Sequence, residues 1–367
     1  MKQFYLKTMA FCCMMILFQE LSAQVVTIDG YYYLLDSETH SATFTYQNKD
    51  TGAQPISSYS GDIIIPESVS YQSSNYTVTT LGSNVFYYCN INSLQMPNTI
   101  KTIESEAFCN TTINSLTIPK NVETINQNAF YRCRGLNSIV VDKGNSIYDS
   151  RNNCNAIIET SSDKLLLGCY TTVIPNDVKA IEQSAFHKCE QLKKIVIPNS
   201  VTSIGRQAFQ GCTQLESVTL SENLTEIPSQ LFYDCTSLKK ILFPKNITAI
   251  GAYVFMHCTS MEDVYCYGKV VPQTIASAFT SGPVLANMTL HVDKMLIEQY
   301  RSTEPWSLFG TIVPLTEEDM SVENITDSSD NKIVSIYNFQ GHHIAVPLRG
   351  LNIIRKADGS VRKVMVK

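Results

Sequence analysis

The sequence predicts a curved solenoid, with short parallel strands lining a concave face and a mainly irregular or short-helical convex side. Three observations lead there. Phenylalanines fall at Phe86, Phe108, Phe130, Phe186, Phe209, Phe232 and Phe255, separated by 22, 22, 56, 23, 23 and 23 residues. Around each the same frame returns: an Ile or Leu five residues earlier (Leu81, Ile103, Ile125, Ile181, Ile204, Ile227, Ile250) and, in six copies, a cysteine three later (Cys89, Cys133, Cys189, Cys212, Cys235, Cys258). A short β-type run then closes the unit, often on proline, as in SLTIP, KIVIP and KILFP. A unit of this length with one short strand cannot bury its apolar face alone, so neighbours stack into a continuous core.

The elements follow in order. Residues 1–23 carry Lys2 and Lys7, an apolar run from Met9 to Phe18, and Ala23 before Gln24. That order predicts a secretory signal peptide cleaved after Ala23, and the run is too short to span a bilayer. Repeats are expected over 80–268. Alternation along each strand sends Val218 and Leu220 inward and Ser217 and Thr219 to solvent. The outward column then reads Gln95, Thr117, Val140, Val196, Thr219, Leu242 and Tyr265, with Tyr267 on the same side, and these are the candidate ligand-binding residues. The seven phenylalanines and six in-frame cysteines are the candidate core, with Thr111 in the cysteine slot of the second copy.

The interval of 56 holds an insertion at 142–179. Ala156 to Glu159 and Lys164 to Cys169 flank Thr160-Ser161-Ser162-Asp163 and read as a hairpin. If it is symmetric about Ser161 and Ser162, Cys154 opposes Cys169 within disulfide reach; the alternative is two free thiols packed under the hairpin. Residues 316–332 hold six acids against Lys332 and read as a linker. Beyond it, KIVSIYNFQGHHI, RGLNIIRK and VRKVMVK predict three strands of a β module at 333–367, the last two joined by Ala357-Asp358-Gly359-Ser360.

The repeat frame resembles the BspA-like, Treponema pallidum-type leucine-rich repeat. The flanks are similar too: Ile28-Asp29-Gly30, Tyr31 to Leu34, Tyr59-Ser60-Gly61 and Ile63-Ile64-Ile65-Pro66 look like that family's N-terminal β cap, placed over 24–79. Tyr300, Trp306, Phe309 and Ile312 resemble its closing segment, placed over 269–315. The tail resembles C-terminal domains that Bacteroidetes attach to exported proteins, some of which direct secretion. The resemblance implies an exported bacterial solenoid, at the cell surface or secreted, that binds host or microbial protein or glycan partners. A periplasmic location and a purely structural spacer role stay open.

Chemistry is sparse. There is no HExxH, CxxC, GxSxG or GxxxxGK, so neither enzyme activity nor a cofactor is expected. The net charge of −5 with 17% charged residues gives no basic field for nucleic acid. His342 and His343 are adjacent and face opposite ways on a strand, and the cysteines form a line rather than a tetrahedron, so no metal is expected. Buried, unreacted thiols are favoured over ladder disulfides. His187 and His257 are expected on a solvated turn. Lys193-Lys194 and Lys239-Lys240 read as a solvated edge. Asp149, Arg151 and Glu159 on the insertion lack a nucleophile at recognisable spacing.

Overall fold

The computed structural model describes residues 25–47, 58–282, 284–316 and 319, and the backbone strands of the C-terminal module; the expected signal peptide and nearly all of the acidic linker lie outside the described residues. The regular coils each contribute two strands to two parallel ladders. The longer one builds the concave face, with Ser115–Ile118 beside Ser138–Val141, Lys194–Val196 beside Ser217–Thr219, and Lys240–Phe243 beside Asp263–Cys266. A second ladder, two residues wide, runs through the Ile positions, pairing Ile103 with Ile125, Ile181 with Ile204 and Ile227 with Ile250. β-Branched residues suit both ladders, because one side of each strand is buried.

The convex side is a tight turn around each phenylalanine. Residues two before and two after it are left-handed: Glu106 and Asn110 around Phe108, Gln207 and Gly211 around Phe209, Tyr253 and His257 around Phe255. These reversals drive the ring inward, and the rings of Phe108, Phe209 and Phe255 are completely buried. The rings stack from coil to coil, 5.2 Å apart for Phe86 and Phe108, 5.0 Å for Phe186 and Phe209, and 6.1 Å for Phe232 and Phe255. Four of the six in-frame thiols donate to the carbonyl of the preceding coil's phenylalanine: Cys133 to Phe108 at 3.1 Å, Cys212 to Phe186 at 3.2 Å, Cys235 to Phe209 at 3.2 Å and Cys258 to Phe232 at 3.0 Å. A buried carbonyl without a partner is costly, so a small donor in that slot serves packing and hydrogen bonding together. Thr111 fills it with a hydroxyl 3.6 Å from the Cys133 sulfur.

At the N-terminal end, Ser41–Thr45 and Ser74–Leu81 run in parallel and carry the sheet into the Ile ladder, while Phe44 and Tyr59 lie 5.9 and 5.8 Å from Phe86. At the other end the strand face continues past residue 268. Thr289–Val292 and Thr311–Pro314 add two strands in parallel register, and Phe279 extends the ring stack 5.4 Å beyond Phe255. Trp306 and Phe309 then pack on Phe279. The segment 269–315 is therefore built as further coils. Its rhythm was hidden because Phe279 is followed at the third position by Gly282 in place of cysteine.

The insertion is a hairpin, Ala156–Glu159 with Lys164–Gly168, and it stands across the solenoid as a septum. Ile157, Leu167 and Cys169 join the core of the N-terminal coils, whereas Cys154, Ala156, Ile158 and Leu165 join the core that runs from Ile174 to Phe309. The Cys154–Cys169 disulfide is corrected: both thiols are free and buried. Near the turn the register is the symmetric one, Glu159 opposite Lys164 and Ile158 opposite Leu165, but a bulge at Leu166 shifts it so that Ile157 opposes Leu167. One extra residue moves the two cysteines out of opposition and onto different cores.

Phe130 is also corrected, being only partly buried, because no ring stacks on it from the insertion side among the described residues. In the C-terminal module the strands His343–Ile344, Ile333–Asn338, Gly350–Lys356 and Val361–Val366 form an antiparallel sheet in that order, so the first expected strand is two. The turn at 357–360 lies outside the described residues.

Candidate binding face

The outward column is set by strand register. Ile64 pairs with Gln95, Thr117 with Val140, Val196 with Thr219, Leu242 with Tyr265, Tyr265 with His291, and His291 with Val313. Gln95, Thr117 and Thr219 are exposed, and Val140 and Val196 keep 47% and 60% of their surface open to solvent. Val173 belongs with them, 74% exposed and two residues before Pro175 as Val196 is two before Pro198. The sequence reading missed Val173 because the insertion masks its frame, although the run VIPNDVKAI against VIPNSVTSI carries the signal.

The C-terminal end of the column is more built. Tyr265 and His291 stack face to face with ring centres 4.1 Å apart and planes 9° from parallel. His291 Nε2 lies 3.1 Å from Asp263 Oδ1, fixing the imidazole plane, and burial followed by Asp263 and Asp319 pushes the Tyr265 phenol up. Leu242 beside Tyr265 is half-buried. Tyr267 is half-buried as well, its hydroxyl donating to the Asp319 carbonyl at 3.3 Å, so the stretch after the last coil partly covers it. Lys193, Lys194, Lys239 and Lys240 are exposed at the strand entrances.

Other candidate chemistry resolves into structure. Arg151 makes two hydrogen bonds from Nε and one from Nη2 to Asp149, and its Nη1 reaches Asp163 at 2.6 Å and Asp177 at 3.1 Å, tying the hairpin to the next coil. Glu159 accepts from the Ser162 hydroxyl. Burial pushes the thiols of Cys133, Cys189, Cys212, Cys235 and Cys258 up, Cys133 and Cys258 to about 12, which keeps them protonated and unreactive. Among the described residues no group of three or more His, Cys, Asp or Glu side chains could hold a metal ion, and no helix is long and apolar enough to cross a membrane.

His187 corrects the sequence reading. It is 4% exposed, stacked 4.3 Å from the Tyr131 ring, and neither ring nitrogen has a hydrogen-bond partner among the described residues. His257 remains half-buried and partners Asp234 through Nδ1 at 2.7 Å.

Stacked coils, paired parallel strands and a ring core define a leucine-rich-repeat solenoid. The chain belongs to the BspA type leucine rich repeat family, whose profile matches residues 66–162 and 168–290 in 6 copies. It is similar in structure to a leucine rich cell surface protein from Faecalibacterium prausnitzii, at 20% identity over 81% of this chain and 97% of that one, with a TM-score of 0.48. The pneumococcal vaccine antigen PcpA is similar at 15% identity over 81% and 99%, TM-score 0.46. The leucine rich repeat protein of T. pallidum is similar at 24% identity over 47% and 92%, TM-score 0.33. No curated protein matches the chain. Repeat solenoids of this family are typically non-enzymatic scaffolds for protein interaction.

Proposed function

We propose that the chain is an exported recognition scaffold without catalytic activity, at the cell surface or secreted, whose concave strand face binds a protein or glycan. The outward column from Gln95 to Val313 carries the reading. Val140, Val173 and Val196 stay exposed in a chain that buries apolar side chains in every coil, and exposed apolar surface on a rigid sheet suits a partner. The flat Tyr265–His291 pair adds an aromatic platform of the kind that anchors interfaces and sugars. A preformed sheet loses little conformational freedom on binding, which favours affinity.

The test uses two variants of the chain lacking residues 1–23. One carries Val140→Asp, Val173→Asp and Val196→Asp, and the other Leu242→Ser, Tyr265→Ser and Tyr267→Ser. Partners captured from host mucosal extract or on a glycan array by the parent should be lost from at least one variant, by about tenfold or more in affinity, with circular dichroism unchanged. Capture of the same partners by both variants with parental affinity would move the site off this face. Export is checked separately by N-terminal sequencing, which should begin at Gln24.

A further inference from the structure

The ring stack lacks one rung. In an ordinary coil the chain takes five residues from the Ile ladder to the phenylalanine, as from Ile103 to Phe108, whose N–H donates to the carbonyl of Ala129 in the next coil at 2.8 Å. In the inserted coil the equivalent bond runs from Gly168 N–H to the carbonyl of Ala185 at 2.9 Å, and Gly168 follows the ladder residue Leu165 by only three. This coil therefore omits two turn residues and a ring. On the C-terminal side Phe186 closes over Gly168, so tightly that a Cβ there would lie 2.1 Å from the ring. On the N-terminal side the gap is left open. Tyr131 on His187 and Arg134 with Glu190, at 3.9 Å, bridge it farther along the convex side, each pair joining equivalent positions of the two flanking coils.

What lies between is a cleft of about 320 Å³, within the range of small-molecule sites. Its floor is the partly buried Phe130 ring, and its apolar wall is Leu166, Leu167 and Tyr148. Leu166 is the bulged residue of the hairpin, and a bulge re-aims the side chain it carries. Glu159, Lys164 and Glu182 line the same cleft. Lys164 Nζ sits 3.0 Å from Glu182 Oε2 and neutralises it, while Glu159 has the Ser162 hydroxyl as its hydrogen-bond partner among the described residues, leaving one net negative charge. Ser184 Oγ, also at the cleft, is buried without a hydrogen-bond partner.

We propose that this cleft binds one aromatic ring bearing a cationic amine, the ring stacking on Phe130 as the absent rung and the amine pairing with Glu159. A ring supplies what the neighbouring coils supply to each other, stacking at about 5 Å inside an apolar wall. The carboxylate selects a cation over an anion of the same shape. A free arylalkylamine and the aromatic side chain of a basic peptide share this chemistry.

Calorimetric titration of the full chain with 2-phenylethylamine and with the capped dipeptide N-acetyl-Phe-Lys-amide separates the two sources. At least one should bind, with 3-phenylpropionate weaker by about tenfold, the factor a charge-assisted hydrogen bond supplies. Leu166→Trp fills the cleft with the chain's own ring and should abolish binding while the thermal midpoint stays at or above the parental value, which shows that the variant folds. Glu159→Gln should weaken the amine about tenfold and leave benzyl alcohol unchanged. Silence of both probes at about 10 mM overturns the proposal, as does equal affinity for amine and acid or undiminished binding by the Leu166→Trp chain.

Discussion

His187 is buried against Tyr131 with both ring nitrogens unpartnered, and burial, then Arg132, Lys188 and Arg134, hold its pKa down to about 3 against an ordinary 6.5. Between those values the unfolded chain carries a proton on this side chain and the folded chain does not. Stability therefore rises with pH through the window: it is fully present above 6.5 and is lost as pH falls toward 3, at about 1.4 kcal/mol per unit from this group alone. His187→Phe keeps a ring on Tyr131 and removes the proton. Its urea midpoint should be higher than the parent's at pH 5 and should change less between pH 4 and 7. Parallel pH profiles for the two chains would show that His187 carries no such cost. Spacing could not reveal this residue: its cover, Tyr131, lies 56 positions away and meets it only because the inserted coil lacks a convex turn. Cys212 is the opposite case. Its slot recurs every coil, so a buried, uncharged thiol was legible from period alone, while its acceptor, the Phe186 carbonyl of the preceding coil, needed the structure. Phe209, completely buried between two stacked rings, should cost about 3 to 5 kcal/mol on truncation to Ala in urea unfolding.

Within one coil, backbone reversals decide what the sequence can tolerate. Gly211 holds a left-handed φ of +74°, in the slot that Lys188 and Asp234 fill in the neighbouring coils at φ 60°. Gly211→Ala should cost about 1 kcal/mol for the disfavoured conformation, plus the shift of the Lys188 side chain that crowds it. Gly168 is constrained for a different reason, since an added methyl meets the Phe186 ring; Gly168→Ala should lower stability by about 1 to 3 kcal/mol through overpacking. Chemical unfolding of the two variants checks both, and a neutral Gly168→Ala would mean that the Phe186 ring moves freely. The hairpin's existence and its register next to the turn followed from two apolar runs around a polar tetrapeptide. The bulge did not, because Leu166 sits in an unbroken run of three leucines with nothing to mark which one is extra. That one residue decides between the two arrangements the sequence left open for Cys154 and Cys169, a disulfide and two free thiols, in favour of the free thiols.

Across the whole molecule the septum hairpin divides one solenoid into two apolar cores. A repeat stack is held by nearest-neighbour interfaces, so it unfolds as one unit only while every interface is strong. The period in phenylalanine made the stack legible from sequence, but continuity of the core was inferred from that period, and here the inserted coil breaks it. Side chains of a single strand face opposite ways: Ile157 packs on the N-terminal core and Ile158 on the C-terminal one, each fully buried. Truncating either to Ala should cost about 2 to 5 kcal/mol locally. The consequences should differ by half. Ile157→Ala should raise amide exchange across the coils from Leu81 to Val141 and spare those beyond Val178, and Ile158→Ala should do the reverse. Hydrogen exchange read by mass spectrometry resolves the two directions. Equal loss of protection in both halves from either variant would show that the hairpin couples the cores into one cooperative unit.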